Sequence, residues 1–203
     1  MHTLPDADAV FRRFFARWYE PEDLARRGHA AARPGVERHD APGMAAAALS
    51  PLHPEGQQEV AERIAAMVDA ARGDWAGLPG LDGPLGPAWV DAFDRYYDRE
   101  RVAEVLDESD PADFANELVV LCCELGAVLG EVLRRQAPRL EWVYDWPYWE
   151  SALVDPVHGS RLNVFHWAVR KFSDEGADGA GGADGGLAAR VRQGGTLVAH
   201  GWS

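Results

Sequence analysis

The segment from residue 110 to about residue 136 constrains the fold more than any other part of the sequence. Arranged as a helix at about 100° per residue, it carries apolar or small side chains on nearly every side. A helix of this kind is buried in a folded protein. Asp110 and Pro111 indicate its start, as N-cap and first helical residue, and Pro138 ends it. We therefore expect a long central helix that other elements surround.

Upstream of the central helix, apolar residues recur at helical spacing in three stretches that are separated by segments rich in Gly and Pro. The sequence predicts helices at 6–28, 57–72 and 88–107, irregular connections at 29–56 and 73–87, and one short helical turn at 44–49. The part of the chain before residue 109 is therefore expected to be mostly helical.

Downstream of the central helix, the apolar period changes to two. In LEWVYDW, residues 140–146, the large side chains alternate with smaller or acidic ones, which indicates a half-buried strand. The downstream predictions are strands at 148–154 and 161–165, a helix at 166–173, a mobile glycine-rich loop at 175–186, a short helix at 187–192 and a strand-like end at 196–199.

These predictions combine into one α+β domain over residues 1–203. It has N-terminal helices, a long buried central helix packed on a small antiparallel sheet, and short C-terminal helices. The expected parts are a mostly helical part at 1–108, the central helix and sheet at 109–174, the flexible loop at 175–186 and a C-terminal segment at 187–203.

Acidic charge is concentrated in the middle of the chain. The formal net charge is −13, and residues 82–155 contain 17 acidic and 6 basic residues. Such a segment repels phosphate backbones and anionic lipids, so we expect neither nucleic acid nor membrane as a partner, whereas a basic protein surface stays open. The N-terminus shows no signal peptide and the longest strongly apolar run, LVVLCC, is too short to span a bilayer, which predicts a cytoplasmic protein.

Carboxylates on the central helix and two downstream histidines define one candidate site. Glu117, Glu124 and Glu131 recur every seven residues and form one stripe, which is most simply a solvent-facing seam. They lie about 10 Å apart along the axis, too far for all three to share one metal ion. His158 and His166 flank a predicted strand and could converge with Glu124 or Glu131 to bind zinc or iron. These residues support the alternative prediction, in which the protein is a metal-dependent hydrolase.

A dense aromatic cluster between residues 142 and 149 supplies the leading candidate site. Trp142, Tyr144 and Trp146 share one face of the predicted strand, and we expect them in the core. Tyr148 and Trp149 lie beyond a proline that breaks the alternation, so either core or surface is open to them. Facing outward, they would form a recognition patch with nearby charged residues. The candidate binding residues are Asp145, Tyr148, Trp149, Glu150 and Arg161.

The stretch from about residue 116 to residue 172 resembles a type of small uncharacterised bacterial protein. The resemblance is carried by the helix LGAVLGEVLRR, the Trp-rich strand LEWVYDW, and the segments YWESALVD and LNVFHWAVRKF. It implies a helix packed on a small antiparallel sheet, followed by a helix after Phe165. It implies no catalytic residues, and some such proteins resemble immunity or accessory proteins.

No complete catalytic constellation occurs in the sequence. The leading hypothesis is therefore a non-enzymatic protein-binding or accessory, immunity-like module of the bacterial cytoplasm, without a cofactor and with a basic protein surface as partner. The sequence leaves a homodimer open. Besides the metal-dependent hydrolase, a small-molecule sensor is an alternative, with an apolar pocket between the central helix and Trp142 and Tyr144.

Overall fold

A computed structural model describes residues 3–26, 32–38, 43–113, 115–179 and 186–200. These residues form an α+β fold, as predicted. The helices are α1 (Ala7–Phe14), α2 (Pro21–Arg26), α3 (Ala46–Leu49), α4 (Pro54–Asp74), α5 (Pro87–Tyr96), α6 (Arg99–Glu108), α7 (Glu117–Gln136), α8 (Val164–Lys171) and α9 (Gly186–His200). The strands are β1 (Val36–Arg38), β2 (Glu141–Val143), β3 (Ala152–Asp155) and β4 (Ser160–Leu162), and short 3-10 turns span Ala16–Trp18 and Tyr148–Glu150.

The predicted central helix is α7, and it is buried along most of its length. It begins later than predicted, because Asn116 and not Asp110 is the N-cap. The Asn116 side chain accepts a hydrogen bond from the Val119 amide at 3.0 Å, whereas Asp110 caps only a turn, at Ala112 N. Among the described residues, neither this helix nor any other has the length and apolar character needed to cross a bilayer.

Two glycines let α7 approach the sheet and α8 closely. A Cβ atom added to Gly126 would lie 2.3 Å from the Phe165 ring, and one added to Gly130 would lie 2.3 Å from the Trp142 ring. Both distances are far below van der Waals contact. The aromatic rings therefore pack directly on the helix backbone, and this packing fixes β2 and α8 against the centre of the fold.

The sheet has the strand order β1-β4-β3-β2, and every neighbouring pair is antiparallel. Strands β2, β3 and β4 occur within or next to the predicted strand segments. Strand β1 was missed by the sequence analysis, which expected an irregular connection there. Its three residues have no alternating pattern of their own and become a strand by pairing with β4, where Val36 lies opposite Leu162.

Several predicted boundaries were wrong, each for a local reason. The segment 6–28 is not one helix, because α1 ends at Phe14 and Pro21 starts a second helix. The segment 88–107 is two helices, because the Asp98 side chain accepts a hydrogen bond from Arg101 N and begins α6. The C-terminal strand was also wrong, because residues 196–199 continue α9. The helix predicted after Phe165 is confirmed as α8.

The glycine-rich segment falls only partly within the described residues. Residues 175–179 form turns in which Gly176, Ala177 and Gly179 are buried, whereas 180–185 lie outside the described residues. The start of this segment therefore packs against the fold, and its predicted mobility stays a prediction for the remainder.

Candidate ligand-binding cleft

An open cleft of about 500 Å³ lies where the chain after α1 meets the start of β1 and the turn after β2. Four acidic side chains, three aromatic side chains, one arginine and two prolines line it. The lining residues are Trp18, Tyr19, Glu20, Asp23, Arg33, Pro51, Asp145, Trp146, Pro147 and Glu150. Two of the five predicted binding residues, Asp145 and Glu150, therefore lie in one concave site.

Glu150 forms the floor of the cleft, and several donors hold its carboxylate. Its side chain is 4% exposed. The Tyr19 hydroxyl donates to Oε1, and Arg33 Nε donates to Oε2 at 3.0 Å. His166 Nε2 lies 3.6 Å from Oε1. A buried carboxylate is tolerated only when it is paired and hydrogen-bonded in this way, so Glu150 is fixed before any ligand arrives.

His166 supports this floor from α8. Its Nδ1 accepts a hydrogen bond from the Arg33 backbone amide at 2.9 Å, so the ring proton lies on Nε2, the nitrogen that faces Glu150. The ring also stacks on Phe11, with centroids 5.4 Å apart. Nδ1 is thus hydrogen-bonded and Nε2 faces the Glu150 carboxylate, so His166 joins α8 to the N-terminal part of the cleft.

Asp145 lies at the side of the cleft in a partly buried position. Its Oδ1 accepts a hydrogen bond from Trp146 N at 2.7 Å, and its own amide donates to Ser151 Oγ at 3.0 Å. Burial raises the pKa of the Asp145 carboxyl above its usual value, and the Trp146 amide opposes this shift by stabilising the charged form. A cation next to Asp145 would reduce the cost of keeping this carboxylate charged.

Arg161 lies behind the floor on β4. Its guanidinium donates to the Glu150 carbonyl at 3.0 Å and to Asn163 Oδ1 at 3.1 Å. Burial, followed by repulsion from Arg33, lowers the pKa of Arg161. This predicted site residue therefore positions the turn that carries Glu150 and is not part of the cleft wall.

One tryptophan expected in the core is exposed, and another, for which core and surface were both open, is buried. Trp146 was expected in the core, yet it is 53% exposed at the cleft wall. Trp149, a candidate for the outward patch, is 2% exposed and packs edge-on against Phe15 at 5.2 Å. The physical reason is that β2 ends at Val143, so its alternation does not extend to residue 146.

Trp149 and Tyr148 therefore have roles other than the predicted ones. Trp149 donates its indole N–H to the Tyr19 hydroxyl at 2.9 Å and so extends the network beneath Glu150. The Tyr148 ring lies 5.6 Å from that of Trp146, and Tyr148 lines a largely apolar groove of about 420 Å³ between α4 and α7, beside Met67. The predicted patch of five residues is thus divided among a cleft, its support and a separate groove.

The predicted metal-binding residues do not come together. Each of the four side chains has its own partner, and the four pairs lie in different parts of the fold. The pairs are Glu124 with Asp74, Glu131 with Arg135, His158 with Asp155, and His166 with Glu150. No three His, Cys, Asp or Glu side chains gather as a metal site within the described ranges. Glu117 is exposed and Glu131 is partly exposed, as expected for a solvent-facing seam, but Glu124 between them is buried.

The pocket expected for a small-molecule sensor is filled by side chains. The Trp142 ring packs on Gly130 and lies 6.0 Å from the Phe165 ring, and Tyr144 stacks on Trp142 at 6.2 Å. The space between the central helix and these rings is therefore core.

The sequence pattern does not predict the N-terminal half of the cleft. The predicted continuous helix at 6–28 contains Trp18, Tyr19, Glu20 and Asp23, and the predicted irregular segment contains Arg33. The signal that could have found them is Pro21, which cannot lie in a helix interior and which interrupts a run of aromatic and acidic residues.

Comparison of the chain with protein-family models, curated proteins and solved structures gave no match. The functional conclusion therefore depends on the chemistry of the cleft alone.

Proposed function

We propose that this protein is a non-enzymatic binding module, acting as an accessory or immunity-like protein, which holds a basic segment of a protein partner in the cleft. The observation that carries the proposal is the composition of the cleft wall, where, among the residues that the structure describes, four acidic and three aromatic side chains accompany one arginine. A concave site lined by one sign of charge concentrates ligands of the opposite sign.

The aromatic residues add affinity for the same class of ligand. Trp146 is 53% exposed and lines the cleft together with Asp145. A cation held over an aromatic face gains about 0.5–2 kcal/mol, and exposed aromatic residues are frequent centres of protein interfaces. The same wall would disfavour an acidic or phosphorylated ligand, in line with the net charge of −13.

The floor of the cleft is rigid, which favours binding. Glu150, Tyr19 and Trp149 are joined by hydrogen bonds to one another, and Arg33 and His166 contact the same carboxylate. A site whose groups are already held in place loses little conformational entropy when a ligand arrives.

Selection of short random peptides against the immobilised protein tests this proposal. We expect the selected peptides to be rich in basic residues. Binding should weaken at least about tenfold, or about 1.4 kcal/mol, in Asp145→Asn and in Trp146→Ala. The matched controls are Asp91→Asn, a partly exposed acid on α5, and Val157→Ala, an apolar residue that is 66% exposed.

Isothermal titration of one selected peptide against the four variants gives the comparison. Equal affinity in cleft and control variants would contradict the proposal. So would selected peptides without an excess of basic residues.

A further inference from the structure

We infer that the cleft recognises a guanidinium group, so that the partner's anchoring side chain is arginine and not lysine. This inference rests on the proposed function and makes it specific. It starts from the guanidinium that the cleft already contains, that of Arg33.

Arg33 shows how the cleft accommodates this group. Its Nε donates to Glu150 Oε2 at 3.0 Å, its NH1 lies 3.9 Å from Glu37 Oε2, and its side chain is 35% exposed. The guanidinium thus lies between carboxylates and remains in contact with the open part of the cleft. One half of the site is therefore an arginine–carboxylate pair made by the chain itself.

Asp145 provides the other half. In the part of the chain that the structure describes, the hydrogen bond to its carboxylate comes from Trp146 N at 2.7 Å. An ionised carboxylate can accept several further hydrogen bonds. Trp146 follows it directly in the chain, is 53% exposed and lines the same cleft, so the cleft offers both a hydrogen-bond acceptor and an aromatic ring. A planar group with several N–H donors can use both.

Guanidinium fits this pair of features better than the other biological cations. It donates through five N–H groups in a fixed plane, stacks on aromatic faces, and is more weakly hydrated than an ammonium group. A lysine ammonium is compact and strongly hydrated, so it gains less from the tryptophan face. A quaternary ammonium suits aromatic residues but has no donor for the four acidic side chains.

The repulsion between Arg33 and a second positive charge is offset by the acidic side chains around the cleft. Glu20 and Asp23 line the cleft in addition to Asp145 and Glu150, and Glu37 lies next to Arg33. Among the described residues of the cleft, acidic side chains therefore still outnumber the basic one when Arg33 is counted.

Small probes that differ only in the head group test the inference. The probes are the N-acetyl amides of arginine, lysine, citrulline and trimethyl-lysine, titrated while the indole N–H resonance of Trp146 is followed by NMR. We expect the arginine probe to bind at least tenfold more tightly than the lysine probe. The neutral citrulline probe should not saturate the site.

Variants assign the binding to the cleft. The arginine affinity should fall at least tenfold in Asp145→Asn and remain unchanged in Asp91→Asn. Trp146→Ala serves as the second cleft variant, with binding followed by calorimetry because the reporter ring is removed. Circular dichroism melting of each variant checks that it is folded.

The outcomes separate this inference from the proposed function. Equal binding of arginine and lysine, both dependent on Asp145, would overturn the guanidinium preference and leave the basic-partner proposal in place. Tighter binding of trimethyl-lysine would also overturn it. Absence of any binding of the arginine probe would overturn the inference, while the peptide selection would still decide the proposed function independently.

Discussion

Two buried carboxylates in this protein are paired with cations in opposite settings. Asp94 on α5 pairs with Lys171 on α8 at 2.8 Å, and the two side chains are 1% and 0% exposed. Glu150 is almost as buried, but its partner Arg33 is 35% exposed at the wall of the cleft. The first pair is sealed inside the fold, and the second lies at its boundary with solvent.

The sealed pair has a structural role. Lys171 Nζ also donates to the backbone carbonyls of Asp94 and Gly176, and Asp94 Oδ2 accepts the amide hydrogen of Leu187 at the start of α9. One ion pair therefore joins α5, α8, the turn at 176 and α9. Lys171 is the only lysine of the chain, and burial lowers its pKa while Asp94 acts in the opposite direction.

Exposure, more than the ion pair itself, distinguishes these two regions of the molecule. Around Asp94, the neighbouring hydrogen-bonding groups come from the folded chain. Around Glu150, one side of the network opens on a cleft with further acids. Mutations at the sealed pair should therefore change stability, and mutations at the open cleft should change binding.

The largest expected effect is at the sealed pair. Lys171→Met leaves the Asp94 carboxylate buried without its cation, and we expect a loss of about 3–5 kcal/mol of unfolding free energy. Urea denaturation of the variant and the wild type measures it. The double variant Lys171→Met with Asp94→Asn should recover part of the loss. A loss below about 1 kcal/mol would show that the pair does not hold the helices together.

The open pair of Glu150 and Arg33 should contribute less to stability than the sealed pair. Arg33→Ala should cost about 2–3 kcal/mol, less than Lys171→Met, because Tyr19 still donates to Glu150 and water can enter. Added guanidinium chloride at millimolar concentration should raise the melting temperature of this variant, because the ion replaces the lost group beside Glu150. Sodium chloride at the same ionic strength is the control. A response that is the same for both salts would argue against a guanidinium-shaped space.

A third buried carboxylate, Glu124, has another carboxylate as its neighbour instead of a cation. Burial, with a further contribution from Asp74, raises the pKa of Glu124 to about 7. The folded state therefore binds this proton more tightly than the unfolded state does. Protonated Glu124 therefore contributes its full stabilisation when the pH is below the pKa that this carboxyl has in the unfolded chain. The contribution is lost as the pH rises through about 7.

The variant Glu124→Gln tests the direction of this pH dependence of stability. We expect the variant to be more stable than the wild type at pH 8 by about 1–2 kcal/mol, with a smaller difference at pH 5. Urea denaturation at the two pH values gives both differences. Asp69→Asn, an exposed acid on the same α4 helix as Asp74, is the control that should show no such pH dependence. A wild-type advantage that grows as the pH rises would contradict the assignment.

The smallest expected effect on stability is at the cleft wall. Asp145→Asn should change the unfolding free energy by less than about 0.5 kcal/mol while it weakens binding of a basic peptide. Thermal melting and calorimetric titration of the same preparation measure both quantities. Loss of stability comparable to that of Lys171→Met would make Asp145 a structural residue and remove the distinction between the two regions.

The sequence predicted those parts of the fold whose signals are local. The apolar character of α7 on every side indicated a buried helix, and the change of period after Pro138 indicated the sheet. The cleft depends on contacts between distant residues, such as Tyr19 with Glu150, and no local pattern records them. The exposure of Trp146 and the burial of Trp149 were not predictable from alternation, because β2 had already ended at Val143.

The cleft is built from two stretches that are far apart in the sequence, and this has a consequence for folding during synthesis. Trp18 to Asp23 and Arg33 leave the ribosome before Asp145 to Glu150 and the supporting His166. A nascent or truncated chain that stops before residue 145 contains the first wall without its floor. If the cleft holds a partner as proposed, capture requires both stretches, and a proteolytic cut between them would end it once the fragments separate.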